Sequence, residues 1–161
     1  MKAIVSVDQH WGIGKDGDQL CYLSADLKRF KALTLGHPVI LGRKTLATFP
    51  GGRPLPGRPN LILSRDPNFQ VEGAQVFFDL PSLLAAASDD SVVIGGGSIY
   101  RLLLDFCDLV YITKVFHTFD ADVFFPDLDA DPRWEAAETE PPLEEKGLKF
   151  QYVTYRRRGE A

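Results

Sequence analysis

Residues 91–98 read SVVIGGGS, an apolar run that ends in three glycines. A strand that is apolar at every position is typical of a parallel sheet covered on both faces. The glycines end the strand, and we predict a helix from Ser98 to Leu104 directly after them. Residues 38–45, PVILGRKT, repeat this arrangement, with a strand over 38–42 and a short helix over 43–49. The two units together predict an α/β fold.

The same alternation extends in both directions along the chain. We predict further strands over 1–8, 60–64, 75–78 and 109–116, and helices over 24–35 and 81–87, with Ser24 as the N-cap of the first helix. Two strands near 133–138 and 148–157 have no helix between them, so we expect a mostly parallel sheet with an antiparallel C-terminal edge. Residues 9–22 and 50–59 are interpreted as loops. Because no repeat or linker divides the sequence, residues 1–161 are interpreted as a single domain.

Composition excludes several classes of protein. The chain has 161 residues, of which 45% are hydrophobic and 25% charged, as in an average globular domain. Its net charge of −4 argues against a nucleic-acid binder or a polybasic membrane-surface protein. Cys21 and Cys107 are far apart, which predicts neither structural zinc nor a disulfide framework. We find no apolar run of about 20 residues and no signal peptide, and we expect a cytoplasmic protein without a bound metal.

One residue of the predicted helix 24–35 is out of place. At about 100° per residue, Asp26 falls within the apolar stripe, whose members are Leu23, Leu27, Phe30, Leu33 and Thr34. A carboxylate on a buried stripe is costly unless it has partners. Asp26 therefore has two interpretations. It either stabilises the helix N-terminus through the dipole, or lies in a ligand pocket where burial raises its pKa.

Three strand ends carry groups that suit phosphate. Glycines 95–97 allow close approach to the backbone, residues 42–45 place two cations and a hydroxyl at a helix N-terminus, and Ser64-Arg65 follows the next strand. Each could also be a structural or solvated turn. Together, at the carboxyl ends of parallel strands, they indicate a dinucleotide, although the GxGxxG spacing is absent. Arg58 is either solvated or a bidentate partner for a substrate carboxylate.

Ordered motifs along the whole chain make it similar to the bacterial dihydrofolate reductases. They are GIGKDG at 12–17, ADL at 25–27 with Phe30, Lys31 and Thr34, PVILGRKT at 38–45, RPLPGR at 53–58, IGGGSIY at 94–100, YIT at 111–113, and DAD at 120–122 with Phe125 and Pro126. The resemblance implies an eight-stranded, mostly parallel central sheet with an antiparallel C-terminal strand and four short flanking helices. It also implies reduction of 7,8-dihydrofolate to tetrahydrofolate, with a hydride from NADPH to C6 and a proton to N5.

The resemblance assigns roles on the substrate side. Asp26 would hold N3 and the 2-amino group of the pteridine, and Thr113 would support Asp26. Water would deliver the proton while the carboxylate raises the basicity of N5. Arg58 would bind the glutamate α-carboxylate. The other residues implied to contact substrate are Ile4, Val5, Leu20, Cys21, Leu27, Phe30, Phe49, Leu55, Ile94 and Tyr100.

The resemblance also assigns the NADPH site. Its implied residues are Ser6, Ile13, Gly14 and Tyr100 near the nicotinamide, Gly42, Arg43, Lys44, Thr45, Gly95, Gly96, Gly97, Ser98 and Ile99 around the pyrophosphate and ribose, and Leu63, Ser64 and Arg65, with Arg43, around the 2′-phosphate. It further implies a cis peptide at Gly95-Gly96. Residues 9–22 would form a mobile lid, bonded by a second loop at 120–122.

The chain departs from the family pattern near the end of this lid. Leu20 stands where the family usually has proline, Cys21 where it has tryptophan, and Ser24 at a frequent proline. Because cysteine is smaller and a weak hydrogen-bond partner, we expect a wider pocket, partly refilled by Tyr22. Ser98, at a position often basic in relatives, would weaken the grip on the pyrophosphate.

These departures keep two alternatives open. One is a reductase of the same fold that acts on another pterin or on a riboflavin-pathway pyrimidine. The other is an NADPH-binding relative with weakened catalysis. In each case the expected partners are small molecules, with no nucleic acid or membrane, and the expected state is a monomer.

Overall fold

A computed structural model describes residues 1–159 as one large sheet with helices on both faces and one small two-stranded sheet. The strands are β1 Lys2–Val7, β2 Gly12–Gly14, β3 Val39–Gly42, β4 Asn60–Leu63, β5 Gln75–Phe77, β6 Val92–Gly95, β7 Leu109–Val115, β8 Val123–Phe124, β9 Trp134–Thr139, β10 Leu143–Glu145 and β11 Leu148–Arg157. The helices are α1 Ser24–Thr34, α2 Arg43–Leu46, α3 Leu80–Ala86 and α4 Gly97–Leu103. Short 3-10 turns lie at Pro50–Gly52 and Leu104–Phe106.

The main sheet has the order β10-β11-β7-β1-β6-β3-β4-β5, with β9 pairing β11 beside β10. All pairs from β7 to β5 are parallel, whereas β11 runs antiparallel to β7, β9 and β10. Segments β9 and β10 occupy one edge position, which the run Glu140-Pro141-Pro142 interrupts because proline cannot continue a ladder. Counted by position, the predicted eight strands and the antiparallel C-terminal strand are confirmed, as are the four helices.

Every residue of β3 and β6 is buried, as their unbroken apolar runs predict. Along β1 the side chains alternate between the two faces of the sheet, since Ala3, Val5 and Val7 pack in one apolar cluster and Ile4 in the other. The core therefore has two apolar layers, one on each side of the sheet.

Two details of the sheet open a gap at its centre. Strand β1 pairs with β6 only at Lys2 and Ala3, whereas its pairing with β7 continues to Val7. The β3–β6 register shifts after Ile40, so that Ile94 is an extra residue on β6. The backbone groups of Ile4 and Ile94 are thereby released toward a crevice at the carboxyl ends of the strands, where open α/β sheets bind ligands.

Some local predictions are wrong. Ser24 is not an N-cap: Leu23 occupies that position, and Ser24 is the first residue of α1. Helix α2 ends at Leu46 rather than residue 49, and α4 begins at Gly97 rather than Ser98. Residues 9–22 are not entirely loop, because β2 pairs with β8 in a small second sheet that the sequence pattern did not reveal.

Over residues 1–159, no helix combines the length and the apolar character that crossing a membrane requires.

Candidate active site

The centre of the site is a carboxylate held between helix and sheet. Asp26 lies in the first turn of α1, and its Oδ1 accepts a hydrogen bond of 2.6 Å from the hydroxyl of Thr113 on β7. Thr113 is only 2% exposed. Burial raises the pKa of Asp26, opposed by the Thr113 hydrogen bond and the Arg29 cation and reinforced by the negative charge of Glu145.

The free backbone N–H groups at the start of α1 are not bonded by Asp26. The backbone N–H groups of Ser24 and Ala25 both donate to the carboxylate of Glu145. Of the two sequence interpretations of Asp26, the structure therefore favours a carboxylate in a pocket. The sequence pattern did not point to Glu145, which lies on β10 more than a hundred residues away.

The apolar wall predicted for the site forms one cluster on the α1 side of the sheet. The predicted wall residues Phe30, Phe49, Leu55 and Ile94 pack in one cluster with Ile4. Leu27, next to Asp26 in sequence, keeps 48% of its surface exposed although it belongs to the apolar stripe of the helix. Leu20 is half-buried at the end of the lid. Val5 differs from the prediction, because strand alternation turns its side chain into the opposite cluster, away from this wall.

The Ile4 carbonyl is bound at the gap between β1 and β6. The buried Tyr100 hydroxyl donates to it at 2.7 Å, and burial raises the pKa of Tyr100, so that the phenol remains a neutral donor. The carbonyl oxygen keeps a second lone pair for a ligand donor. Ser6, two residues further along β1, lies opposite Thr113 in the ladder.

Arg58 is positioned at the far end of the apolar wall. Its Nη1 donates to the Thr34 hydroxyl at 2.8 Å, and its Nε donates to the Pro56 carbonyl at 2.8 Å. The Thr34 hydroxyl in turn donates to the Phe30 carbonyl. The guanidinium is thus fixed against the C-terminal end of α1, in the place that the resemblance assigns to a carboxylate clamp.

Asn60 holds the loop that carries this end of the site, and sequence reasoning missed it. Its side chain is 2% exposed, accepts from the Leu55 N–H, and donates to the carbonyls of Leu55 and Arg58. The signal was present in the sequence, since Asn60 is a polar residue at the start of an otherwise apolar strand, directly after a proline-rich loop.

The glycine-bearing strand ends meet on the other side of the crevice. Helices α2 and α4 follow Gly42 and Gly96, and no side chain caps either helix, so their first N–H groups are available to phosphate oxygens. A Cβ added at Gly42 would lie 3.0 Å from Ile99, and one at Gly96 would lie 3.2 Å from the Thr45 hydroxyl. The peptide bond between Gly95 and Gly96 is cis, as expected.

The basic residues of this side are arranged around the end of β4. Ser64 is buried and its hydroxyl accepts from the Asp66 N–H, whereas Arg65 and Lys44 are exposed. Arg43 lies 3.8 Å from the Asp66 carboxylate. Leu63 is half-buried at the strand end, and Ser98 is exposed at the start of α4. The structure thus brings the predicted 2′-phosphate residues together, and it adds Asp66 as a partner of Arg43.

The lid is bonded to the second loop, as predicted. The Asp16 N–H donates to the Asp122 carboxylate at 3.0 Å, and the Asp122 N–H donates to the Gly14 carbonyl at 2.9 Å. A Cβ added at Gly97 would meet Val123 at 2.5 Å and Ile13 at 3.9 Å, so the small β2–β8 sheet packs directly on the start of α4.

The uncapped starts of α2 and α4, the exposed cations Lys44 and Arg65, and the closely packed glycines at the strand ends together fit a dinucleotide with phosphates.

Asp8 anchors the base of the lid and was also missed. One carboxylate oxygen accepts from the N–H groups of His10 and Gly12, and the other accepts from the Phe119 N–H. This buried carboxylate therefore fastens the lid and the chain after β7 to the end of β1.

The family model for dihydrofolate reductase matches residues 1–157. The chain belongs to the dihydrofolate reductase family. It is 39% identical over 149 residues to the dihydrofolate reductase type 3 of Salmonella typhimurium and 40% identical over 152 residues to the dihydrofolate reductase of Mycobacterium leprae, with 90% of each chain covered in both cases. The dihydrofolate reductase from Enterococcus faecalis, solved in complex with NADP(H) and RAB-propyl, superimposes with a TM-score of 0.86 at 35% identity, and the match covers 98% of this chain and 96% of that one.

Within this dihydrofolate reductase fold, Cys21 is half-buried and lies beside Leu23, Phe150 and Tyr152. Burial raises the pKa of its thiol, and the negative charge of Asp26 adds to the shift. The expected refilling by Tyr22 is wrong. Tyr22 is 48% exposed, and its hydroxyl donates to Asp18, so it stays on the lid.

Proposed function

We propose that this chain reduces 7,8-dihydrofolate to 5,6,7,8-tetrahydrofolate with NADPH. The observation that carries the proposal is the half-buried Asp26 carboxylate, hydrogen-bonded to Thr113 at 2.6 Å, at the crevice of a dihydrofolate reductase fold. A carboxylate in this setting is an acceptor for a ligand that offers two adjacent N–H donors, as a pterin does at N3 and its 2-amino group. NADPH supplies the hydride when it is bound.

The chain's own residues orient the substrate and control the proton. Asp26 would bind the pteridine edge and, through its negative charge, raise the basicity of N5, so that water can protonate that atom. Thr113 would keep the carboxylate oriented. The apolar side chains of Leu27, Phe30 and Ile94 would exclude bulk water and strengthen these electrostatic interactions.

The two ends of the crevice would fix the rest of both ligands. Arg58, already oriented by Thr34 and Pro56, would bind the α-carboxylate of the substrate. The uncapped starts of α2 and α4 would bind the pyrophosphate, and Arg65 and Ser64 would bind the 2′-phosphate. The lid over residues 9–22 would close on the nicotinamide side.

We also propose that the chain works as a monomer in the cytoplasm. The two cysteines are both free, which suits a reducing compartment. Size-exclusion chromatography with light scattering would test the oligomeric state, and a stable dimer would contradict this part of the proposal.

A turnover assay with NADPH and dihydrofolate tests the function directly. Asp26→Asn should lower kcat/KM at neutral pH by about 100-fold or more, because it removes the charge that raises the basicity of N5. Asp89→Asn is the matched control, because it makes the same chemical change at a residue that is exposed on the loop before β6. NADPH binding by the wild-type chain without turnover of dihydrofolate would overturn the proposal.

Cys21 supports one alternative, a reductase of the same fold that prefers another pterin. The thiol lies where the motif usually carries a larger aromatic side chain, so the pocket can accept a bulkier or differently substituted ring. The test compares kcat/KM for dihydrofolate and for unconjugated dihydropterins in the wild type and in Cys21→Trp. A wild-type preference for the unconjugated ring would favour the alternative.

A further inference from the structure

The start of α1 is completed by a residue from the sheet edge. The Ser24 N–H donates to Oε2 of Glu145 at 2.6 Å, and the Ala25 N–H donates to Oε1 at 3.0 Å. No side chain of the helix itself caps this end. The two carboxylate oxygens of Glu145 therefore bind two of the four N–H groups that every helix start leaves without a partner. Asp26 is the next residue along the chain.

A tight hairpin fixes Glu145 in place. Glu145 is the last residue of β10 and pairs with Leu148, the first residue of β11. Lys146 and Gly147 between them have positive φ angles of 52° and 77°, the geometry of a two-residue type I′ turn. Leu148 packs against the cluster that contains Leu23. The carboxylate of Glu145 is thus presented to α1 by a short and well-paired element.

The same strand also sets the position of the other partner of Asp26. Tyr152 of β11 pairs with Thr113 of β7, four positions along the strand from Leu148. Strand β11 therefore holds Thr113 on one side of Asp26 and the β10 hairpin on the other. A shift of α1 along its axis would therefore disturb both the Glu145 bonds and the bond between Asp26 and Thr113.

We propose that Glu145 is a positioning residue for Asp26, which binds the N-terminus of α1 through both carboxylate oxygens and fixes the turn that carries the Asp26 carboxylate. The proposal rests on the proposed function, since it concerns the residue assigned to the pteridine. Glu145 would act only through its bonds to α1 and through its negative charge, and it would contact neither the substrate nor NADPH.

The charges around Asp26 give this arrangement a measurable signature. The groups that face it are Arg29 on α1, Thr113 on β7, Tyr152 on β11, Tyr100 on α4, Cys21 at the end of the lid and Glu145 on β10. The two backbone N–H bonds lower the pKa of Glu145, with smaller contributions from Lys146 and Lys28, so Glu145 is charged at neutral pH. Its negative charge raises the pKa of Asp26.

The main experiment uses Glu145→Gln, with Glu144→Gln as the matched control. Glu144 is the preceding residue of β10 and is exposed. Its replacement removes the same charge without affecting the bonds to α1. In the ligand-free protein, the titration of the Asp26 carboxyl is followed by carbon NMR, and the exchange of the Ser24 and Ala25 amide protons is measured. Neither readout depends on turnover, so both remain informative if the chain proves inactive toward dihydrofolate.

We expect Glu145→Gln to lower the pKa of Asp26, because a nearby negative charge is lost, and to speed exchange of at least one of the two amides. With dihydrofolate, kcat should fall by roughly 3- to 10-fold, because the carboxylate of Asp26 is then less firmly oriented toward the pteridine. Glu144→Gln should change the pKa of Asp26 clearly less and leave both amides protected. Equal effects of the two variants, or no effect of Glu145→Gln, would overturn the proposal.

A second variant separates the helix bond from general destabilisation. Ser24→Pro removes one of the two N–H donors at a position where proline is well tolerated, and Leu23 before it already has an extended backbone, with φ −112° and ψ 124°. In this background Glu145→Ala should cost less activity than it does in the wild type. Strict additivity of the two substitutions would contradict the assignment.

Discussion

The burial of Asp26 disfavours the ionised form of its carboxyl. Burial raises its pKa, and the hydrogen bond from Thr113 compensates only in part. Because the folded state then binds the proton more tightly than the unfolded chain, stability falls as the pH rises from the unfolded pKa through the folded one. Above that window the folded chain carries a constant penalty for keeping the carboxylate ionised.

Asp26→Asn should therefore stabilise the fold while it strongly lowers the proposed activity. We expect a gain of roughly 0.5–2 kcal/mol in the free energy of unfolding at neutral pH, the usual range for single stabilising replacements. The gain should shrink as the pH falls through this window and be small below about pH 4, where the wild-type carboxyl is protonated in both states. Urea unfolding at both pH values measures it, with Asp89→Asn as control. A variant less stable than the wild type at neutral pH would contradict the argument.

At the scale of elements, the segment from Pro50 to Asn60 shows how a loop becomes a rigid wall. The backbone of this loop makes few hydrogen bonds within the loop. The side chain of Asn60 supplies three instead, to the backbone of Leu55 and Arg58. The loop is thereby held by the first residue of β4, which is itself paired with Val39 of β3.

Asn60→Ala should release this loop. Because buried backbone groups would lose their partners, we expect the free energy of unfolding to fall by about 1–3 kcal/mol. The KM for dihydrofolate should rise more than kcat falls, since Arg58 acts on the substrate tail rather than on the reacting ring. Steady-state kinetics and urea unfolding check both effects. Asn68→Ala, on an exposed turn, serves as the control, and a matching loss there would argue against this role of Asn60.

The elements differ in how far the sequence predicts them. Unbroken apolar runs followed by glycine predict β3, β6 and the helices after them, because burial on both faces leaves a pattern within a few residues. The β2–β8 sheet left no such pattern, since its strands are three and two residues long. Glu145 and Asp8 present a different difficulty. Glu145 and Asp8 bind backbone groups 121 and 111 residues away, a separation that no local periodicity records.

At the scale of the whole molecule, net charge and local charge have opposite signs. The chain carries −4 overall, whereas the crevice side near β3 and β4 exposes Lys44 and Arg65. Asp66 partly neutralises Arg43 there. Because Lys44 and Arg65 are exposed to solvent, salt screens their attraction for an anionic ligand and should weaken its binding.

Raising the ionic strength should weaken the affinity for NADPH more than that for NADH, which lacks the 2′-phosphate. Between about 0.05 M and 0.5 M salt we expect a several-fold larger loss for NADPH, because screening acts mainly on the exposed cations. Arg65→Gln should reduce this difference, and Lys149→Gln, on β11, should leave it unchanged. Fluorescence titration measures both affinities. A salt response equal for the two nucleotides would count against Arg65 as a 2′-phosphate partner.

The break at Pro141-Pro142 has a consequence for how the molecule behaves in a crowded solution. A sheet edge with a continuous row of free N–H and C=O groups is a template on which another chain can add a strand. Here one edge is divided into β9 and β10 by two residues that lack N–H groups, and the opposite edge, β5, is only three residues long. Neither end of the sheet offers a long uninterrupted ladder, so the architecture itself protects the protein against edge-to-edge aggregation.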